Sequence, residues 1–144
     1  MQFHPWRYLR DRHARVDIVW QELPEGVSGY WDGRHTVVLD YRLTQPERRT
    51  TLSHELVHVE RDIIPIDAVL LAREEALVDE ISARRLIPLD RLVDALRWCQ
   101  GAAGAALADE VWTDQHALNV RLATLTAAER TTIEAALSDI EWCA

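Results

Sequence analysis

At 144 residues with 48% hydrophobic content, the chain is long enough to bury one core and too short for two sizeable domains. Its net charge of −8 sets 24 acidic residues against 16 basic ones, all of them arginine, which argues against a surface built to hold nucleic-acid phosphates. No apolar run is long enough to span a bilayer, and Met1 to Trp20 mixes Arg, His and Asp where a secretory leader needs an apolar stretch, so a cytoplasmic setting is expected.

Residues Pro5 to Arg12 read as a short helix. Val16-Asp17-Ile18-Val19-Trp20 alternates and is β-branched, and Thr36 to Asp40 is a second strand. Ser28-Gly29-Tyr30-Trp31 lies between them, with Asp32-Gly33 as a turn signal, and the set predicts a small antiparallel sheet. Thr44-x-x-Glu47 is a capping box, Pro46 suits a first helical turn, and no further Pro or Gly occurs before Pro65. A helix from Gln45 to Asp62 follows, with Leu52, Leu56 and Val59 as its buried stripe.

Near the middle of that helix stands His54-Glu55-Leu56-Val57-His58. Residues four apart share a helix face, so both imidazoles can serve one metal ion. Glu55, turned about 100° from His54, can reach a water on that metal as a general base. Random placement of this chain's His and Glu residues would produce about 0.02 such motifs, so two histidines on an ordinary amphipathic helix is the weaker explanation.

A catalytic zinc needs a third protein ligand. The next predicted helix, Asp67 to Ile87, starts after Pro65 with Asp67 as cap and stops before Pro88. It carries Glu74, Glu75, Asp79 and Glu80. Glu75 and Asp79 are an i,i+4 acidic pair that repels on a bare helix and is offset by a bound cation. In that arrangement Glu75 binds the metal and Asp79 accepts the free ring N–H of a ligating histidine. Glu80 is better read as a solvated partner of Arg84. Leu71, Val78 and Leu86 flank the Glu75 line, but Leu70 and Leu77 flank Glu74 almost equally, so periodicity does not choose between the two glutamates.

Leu89 to Gln100 reads as a helix ended by Gly101 and Gly104. Ala105 to Trp112, Thr113 as cap and Asp114 to Thr124 then outline a helix-turn-helix, and Thr126-x-x-Glu129 caps a last helix running to Trp142. A DNA-reading role is opposed by Asp109, Glu110 and Asp114, with Arg121 the one base of the unit, so a structural or partner-docking role is expected. Leu92, Leu96, Leu107, Leu118 and Leu122 form one side of a shared core, and the six scattered tryptophans are expected to anchor core. Cys99 and Cys143, far apart and outside any Cys-x-x-Cys, read as reduced thiols. Without repeat or linker, residues 1–144 are expected to form a single α+β, mainly helical domain: 1–88 holds the metal site and 89–144 is the helical part.

His-Glu-Leu-Val-His, followed by Glu75-x-x-x-Asp79 and Ile81-Ser82-Ala83-Arg84-Arg85-Leu86-Ile87-Pro88, resembles the ImmA/IrrE-type metallopeptidases. In that family a second helix carries Glu, then an acidic residue, then a segment of the type Phe-Ala-Ala-x-Leu-Leu-Met-Pro. The resemblance runs from Val16 to Pro88 and is weaker beyond. Val57 stands where the family often has Gly, Ile81 replaces the aromatic, and Arg85 interrupts the apolar pair. It implies a zincin-like fold with a gluzincin-like site: His54, His58 and Glu75 on Zn2+, Glu55 as the base, Asp79 behind a ligand. It also implies a sheet edge that takes substrate as an added strand. The activity implied is endopeptidase cleavage of a helix-turn-helix repressor in a phage, mobile-element or stress-response setting. Tyr30, Tyr41, His35 and His116 are candidates to stabilise the oxyanion. Two other classes compete: a DNA-binding regulator with a vestigial protease site, and a zinc-stabilised interaction module without turnover.

Overall fold

A computed structural model describes residues 2–142. Its elements are α1 (Pro5–Arg12), β1 (Asp17–Gln21), β2 (Gly29–Trp31), β3 (Thr36–Asp40), α2 (Gln45–Arg61) and α3 (Ala68–Leu86), then α4 (Leu89–Trp98), α5 (Ala105–Val111), α6 (Gln115–Ala123) and α7 (Ala127–Ala136). Among the described residues the protein is α+β and mainly helical, with one three-stranded sheet.

Local capping chemistry sets most helix starts. Thr44 donates its N–H to Glu47 at 2.7 Å while its hydroxyl accepts the Glu47 N–H at 3.4 Å, closing the capping box of α2. Asp67 accepts from Val69 and Leu70 at the start of α3. One cap differs from expectation. Asp114, not Thr113, caps α6, accepting from the Ala117 N–H at 2.8 Å, because the Thr50 hydroxyl holds the Asp114 N–H at 3.1 Å and Thr113 is drawn into the interior. The last helix also ends earlier than Trp142. Arg97 of α4 donates to the carbonyl of Ala136, and the chain turns there. Gly101 has φ +78°, and a Cβ on it would lie 2.1 Å from the Glu141 carbonyl oxygen, so only glycine fits where α4 ends against the returning chain.

The sheet is mixed, which corrects the antiparallel expectation. Its order is β1-β3-β2, with β1 parallel to β3 and β2 antiparallel to β3. Strand patterning reports which face is buried and not which neighbour a strand meets. Val37, Val38 and Leu39 are all buried, as an apolar run covered on both faces should be, so β3 takes the centre and the other two flank it. A Cβ on Gly29 would sit 2.7 Å from Cγ2 of Thr51 and 2.8 Å from the Val38 carbonyl oxygen. Glycine at this position lets β2 press against α2.

Two apolar clusters result. Val37, Leu39, Leu52 and Leu56 join the sheet to α2, and a larger cluster runs from Leu86 to Leu137 and includes all five leucines expected there. Buried Arg49 of α2 stitches the two, donating to the carbonyls of Trp112 at 2.9 Å, Phe3 at 3.1 Å and Leu86 at 3.3 Å. Three of the six tryptophans meet the cores as expected: Trp6 and Trp31 pack against the sheet–α2 cluster and Trp142 against the larger one. None of the six is fully buried, and Trp20, Trp98 and Trp112 are exposed, with the guanidinium of Arg48 over the Trp20 ring and that of Arg49 over the Trp112 ring. Cys99 is a free thiol, and Cys143 lies outside the described residues. No helix among the described residues is long and apolar enough to cross a membrane.

Candidate metal centre

Burial of Leu52 and Leu56 against the sheet fixes the rotation of α2 and turns His54 and His58 toward α3, which packs beside it. The two Nε2 atoms lie 3.1 Å apart. From α3, Oε2 of Glu75 is 3.3 Å from Nε2 of His54 and Oε1 is 3.1 Å from Nε2 of His58. Ligands about 2.0 Å from a tetrahedral zinc stand about 3.3 Å from one another, so these spacings match a donor set closing on one ion. The three ligating atoms all lie within 4.8 Å of one another, and His54, His58 and Glu75 could hold a metal ion. Two imidazole nitrogens and one carboxylate oxygen leave a fourth position free on a tetrahedral ion.

Glu74, the alternative third ligand by periodicity, has another partner. It forms a two-pronged pair with Arg61, with contacts of 2.5 and 3.0 Å, and that guanidinium holds its carboxyl below the usual range. Glu80 pairs with Arg84 at 3.1 Å.

Asp79 lies behind the histidines. Oδ1 is 2.9 Å from Nδ1 of His54 and Oδ2 is 2.9 Å from Nε2 of His116. Burial alone would raise the Asp79 carboxyl, but the hydrogen bonds from His54 and His116 hold it below its ordinary value. With Nδ1–H of His54 donated to Asp79, Nε2 keeps its lone pair for the metal side. Beside them a buried Ser82-to-Ser53 hydrogen bond of 2.8 Å fastens α3 to α2.

His116 comes from α6, 37 residues after Asp79, and its contact with Asp79 had no signal in the sequence. Tyr30 and His116 line the cleft around the site. The other two oxyanion candidates stand elsewhere: His35 is in the β2–β3 turn, 3.9 Å from Asp32, and Tyr41 is 3.5 Å from Glu22.

Glu55 is buried at the middle of the cleft. Burial pushes its carboxyl up to about 7, with Glu75 adding to the rise while His54 and the Trp31 backbone N–H oppose it. One hollow of about 370 Å³ extends from Glu55 past Thr50, Asp114 and His116. A second, of about 290 Å³, extends past Tyr30, Trp31 and Ile63, and both are walled by Gly29, His54 and Glu75. A carboxyl near neutrality at the junction of two hollows can accept a proton and return it.

Compared with protein-family models, curated proteins and solved structures, the chain matches none of them.

Proposed function

We propose that the chain is a zinc-dependent endopeptidase of the ImmA/IrrE type with a zincin-like architecture. Its proposed substrate is a helix-turn-helix repressor or other regulatory protein of a phage, mobile-element or stress-response system, and its proposed setting is the cytoplasm. The observation that carries the reading is the convergence of His54, His58 and Glu75 beside the buried carboxyl of Glu55.

Held by His54, His58 and Glu75, Zn2+ would supply a Lewis acid that polarises a peptide carbonyl and makes a water easier to deprotonate. Glu55 takes the proton of that water as its oxygen adds to the carbonyl carbon, and delivers it to the amine as the carbon–nitrogen bond breaks. Asp79 keeps His54 in the metal-binding tautomer. β2 is an end strand of the sheet and its residues line the cleft, so its free edge can pair with the main chain of an extended substrate.

The helix-turn-helix outline of α5 and α6 fits a structural role in this reading. α6 packs on α3 and forms part of the cleft wall through His116 and Ala117. Arg121, its one base, is buried and bonded to the Ile87 carbonyl and to Glu129, which leaves no cation for a phosphate.

Purified protein is expected to carry one zinc per chain. Glu55→Gln should keep that zinc and lose at least 10²-fold in cleavage of a co-expressed repressor, because the amide keeps the shape and cannot take the proton. Near-normal cleavage by this variant would defeat the mechanism. A zinc-bound protein inert toward every neighbouring repressor would favour the interaction module.

A further inference from the structure

On a chain of net charge −8, Arg7, Arg10, Arg12 and Arg15 crowd into α1 and the residues just after it. Arg10 is paired with Asp11 at 2.7 Å. Arg7 and Arg12 are exposed and have no hydrogen-bonded or ion-paired partner among the described residues. Both border a hollow of about 440 Å³ between α1 and the end of α3. Arg85 of α3 is a third cation on its wall, and Asp11 is the one acid among the residues that line it. Phe3, Tyr8 and Pro88 supply the apolar part of the lining, with the Phe3 and Tyr8 rings 5.3 Å apart. None of these residues lines either hollow beside Glu55.

Arg85 is fixed in place by its neighbours. Its Nη2 donates to Glu60 of α2 at 2.7 Å, and the guanidinium lies 5.6 Å from the centre of the Tyr8 ring. Its Nη1 is buried without a hydrogen-bond partner among the described residues, as is Nδ1 of His4 on the same wall. Buried polar atoms are nearly always paired, and a charged donor left unpaired is the costlier kind, so this corner of the protein has more donors than its own acceptors satisfy. The start of α1 adds to the excess. No side chain caps its first turn, and an uncapped helix start favours negative charge.

We infer that this hollow binds a small aromatic oxyanion, a phosphate or carboxylate carried on a flat apolar body. Arg7, Arg12 and Arg85 hold the oxygens, since planar guanidinium groups match either anion with paired N–H donors, and the ring lies against Tyr8 and Pro88. A volume of about 440 Å³ suits one small molecule, and a recess with an apolar lining favours such a ligand over the flat surface of a membrane. The site is independent of the peptidase reading.

Calorimetric titration of the purified full chain tests it, with phenyl phosphate as the probe, methyl phosphate as the anion without the ring and benzyl alcohol as the ring without the anion. Phenyl phosphate should bind at least about tenfold more tightly than either control. A phosphate can also sit on a metal ion, so the deciding comparison is the double variant Arg7→Gln/Arg12→Gln, which leaves His54, His58 and Glu75 untouched. Both substituted side chains are exposed and unpartnered, so the thermal midpoint should stay where it is while phenyl phosphate affinity falls at least about tenfold. Affinity unchanged by the double substitution places the ligand elsewhere and overturns the inference, as does absence of binding up to millimolar probe. Equal affinity for methyl and phenyl phosphate overturns the aromatic ligand class. Binding to phosphatidylglycerol vesicles that the double variant loses, with no binding of phenyl phosphate, would assign the arginines to an anionic membrane surface and overturn the pocket.

Discussion

Glu74 and Glu75 stand next to each other on α3, and the rotation of about 100° per helical residue sends one to Arg61 and the other between His54 and His58. Their side chains are identical, so their roles follow from what each one faces. Glu75→Ala should lower zinc affinity by at least 10²-fold, since it removes one of the three residues proposed to hold the ion. Glu74→Ala should leave zinc affinity within a few-fold, costing instead the pair with Arg61. Competition with a calibrated chelator measures both. Zinc loss in Glu74→Ala with full retention in Glu75→Ala would reverse the assignment. The His54 and His58 pair was legible in the sequence because four-residue spacing fixes a shared helix face. Periodicity did not choose the glutamate, which came only with the motif resemblance, because the deciding partner, Arg61, lies 13 residues away on another helix.

At the scale of elements, Glu129 does more than its capping box requires. Besides closing the first turn of α7 with Thr126, it accepts from Arg121 of α6 at 2.8 Å and from Arg84 of α3 at 2.9 Å, joining three helices at one carboxylate. The Arg121 hydrogen bond is the main reason its carboxyl is depressed from 4.5 to about 2, with the Thr126 N–H and Arg84 adding to it against the cost of burial. A depressed carboxylate contributes stability above its unfolded value and loses it as pH falls through the folded one. Unfolding free energy should therefore drop between about pH 4.5 and 2 in part through this residue. Glu129→Gln should cost about 2 kcal/mol at pH 7, as loss of charged hydrogen bonds does, and flatten that acid limb. Urea midpoints across pH read the effect, and an unchanged acid limb in the variant would remove Glu129 from the account. The capping box itself was legible, since its partners are three residues apart. The two arginines were not, as they converge from 8 and 45 residues away.

For the molecule as a whole, α2 is the shared wall of two cores. Leu52 and Leu56 face the sheet, while Arg49 and Thr50 of the same helix hold Trp112 and Asp114 from the C-terminal part. Residues 1–88 produced alone would lose those partners and expose Leu86 and Ile87, which belong to the C-terminal cluster. They would also leave Arg49 without the Trp112 carbonyl. Such a fragment should show no cooperative thermal transition and bind less than one zinc per chain. Near-UV dichroism and metal analysis test this, and a melt like that of the full chain would make the C-terminal part dispensable.

What the sequence determined by itself are the features whose partners lie within a turn or two of each other. The span of α1, the capping boxes at Thr44 and Thr126, the cap at Asp67 and the shared face of His54 and His58 depend on local backbone geometry alone. Tertiary structure alone decided the parallel pairing of β1 with β3, the choice of Asp114 over Thr113 as a cap, and the exposure of Trp20, Trp98 and Trp112. It also decided that His116 meets Asp79, and it brings Glu75, which helical spacing alone did not single out from Glu74, to His54 and His58. Each of those outcomes depends on which groups meet after the chain has turned back on itself, over separations as long as 64 residues. Helical and strand periods report which face of an element is buried, and they carry no information about which other element will cover it.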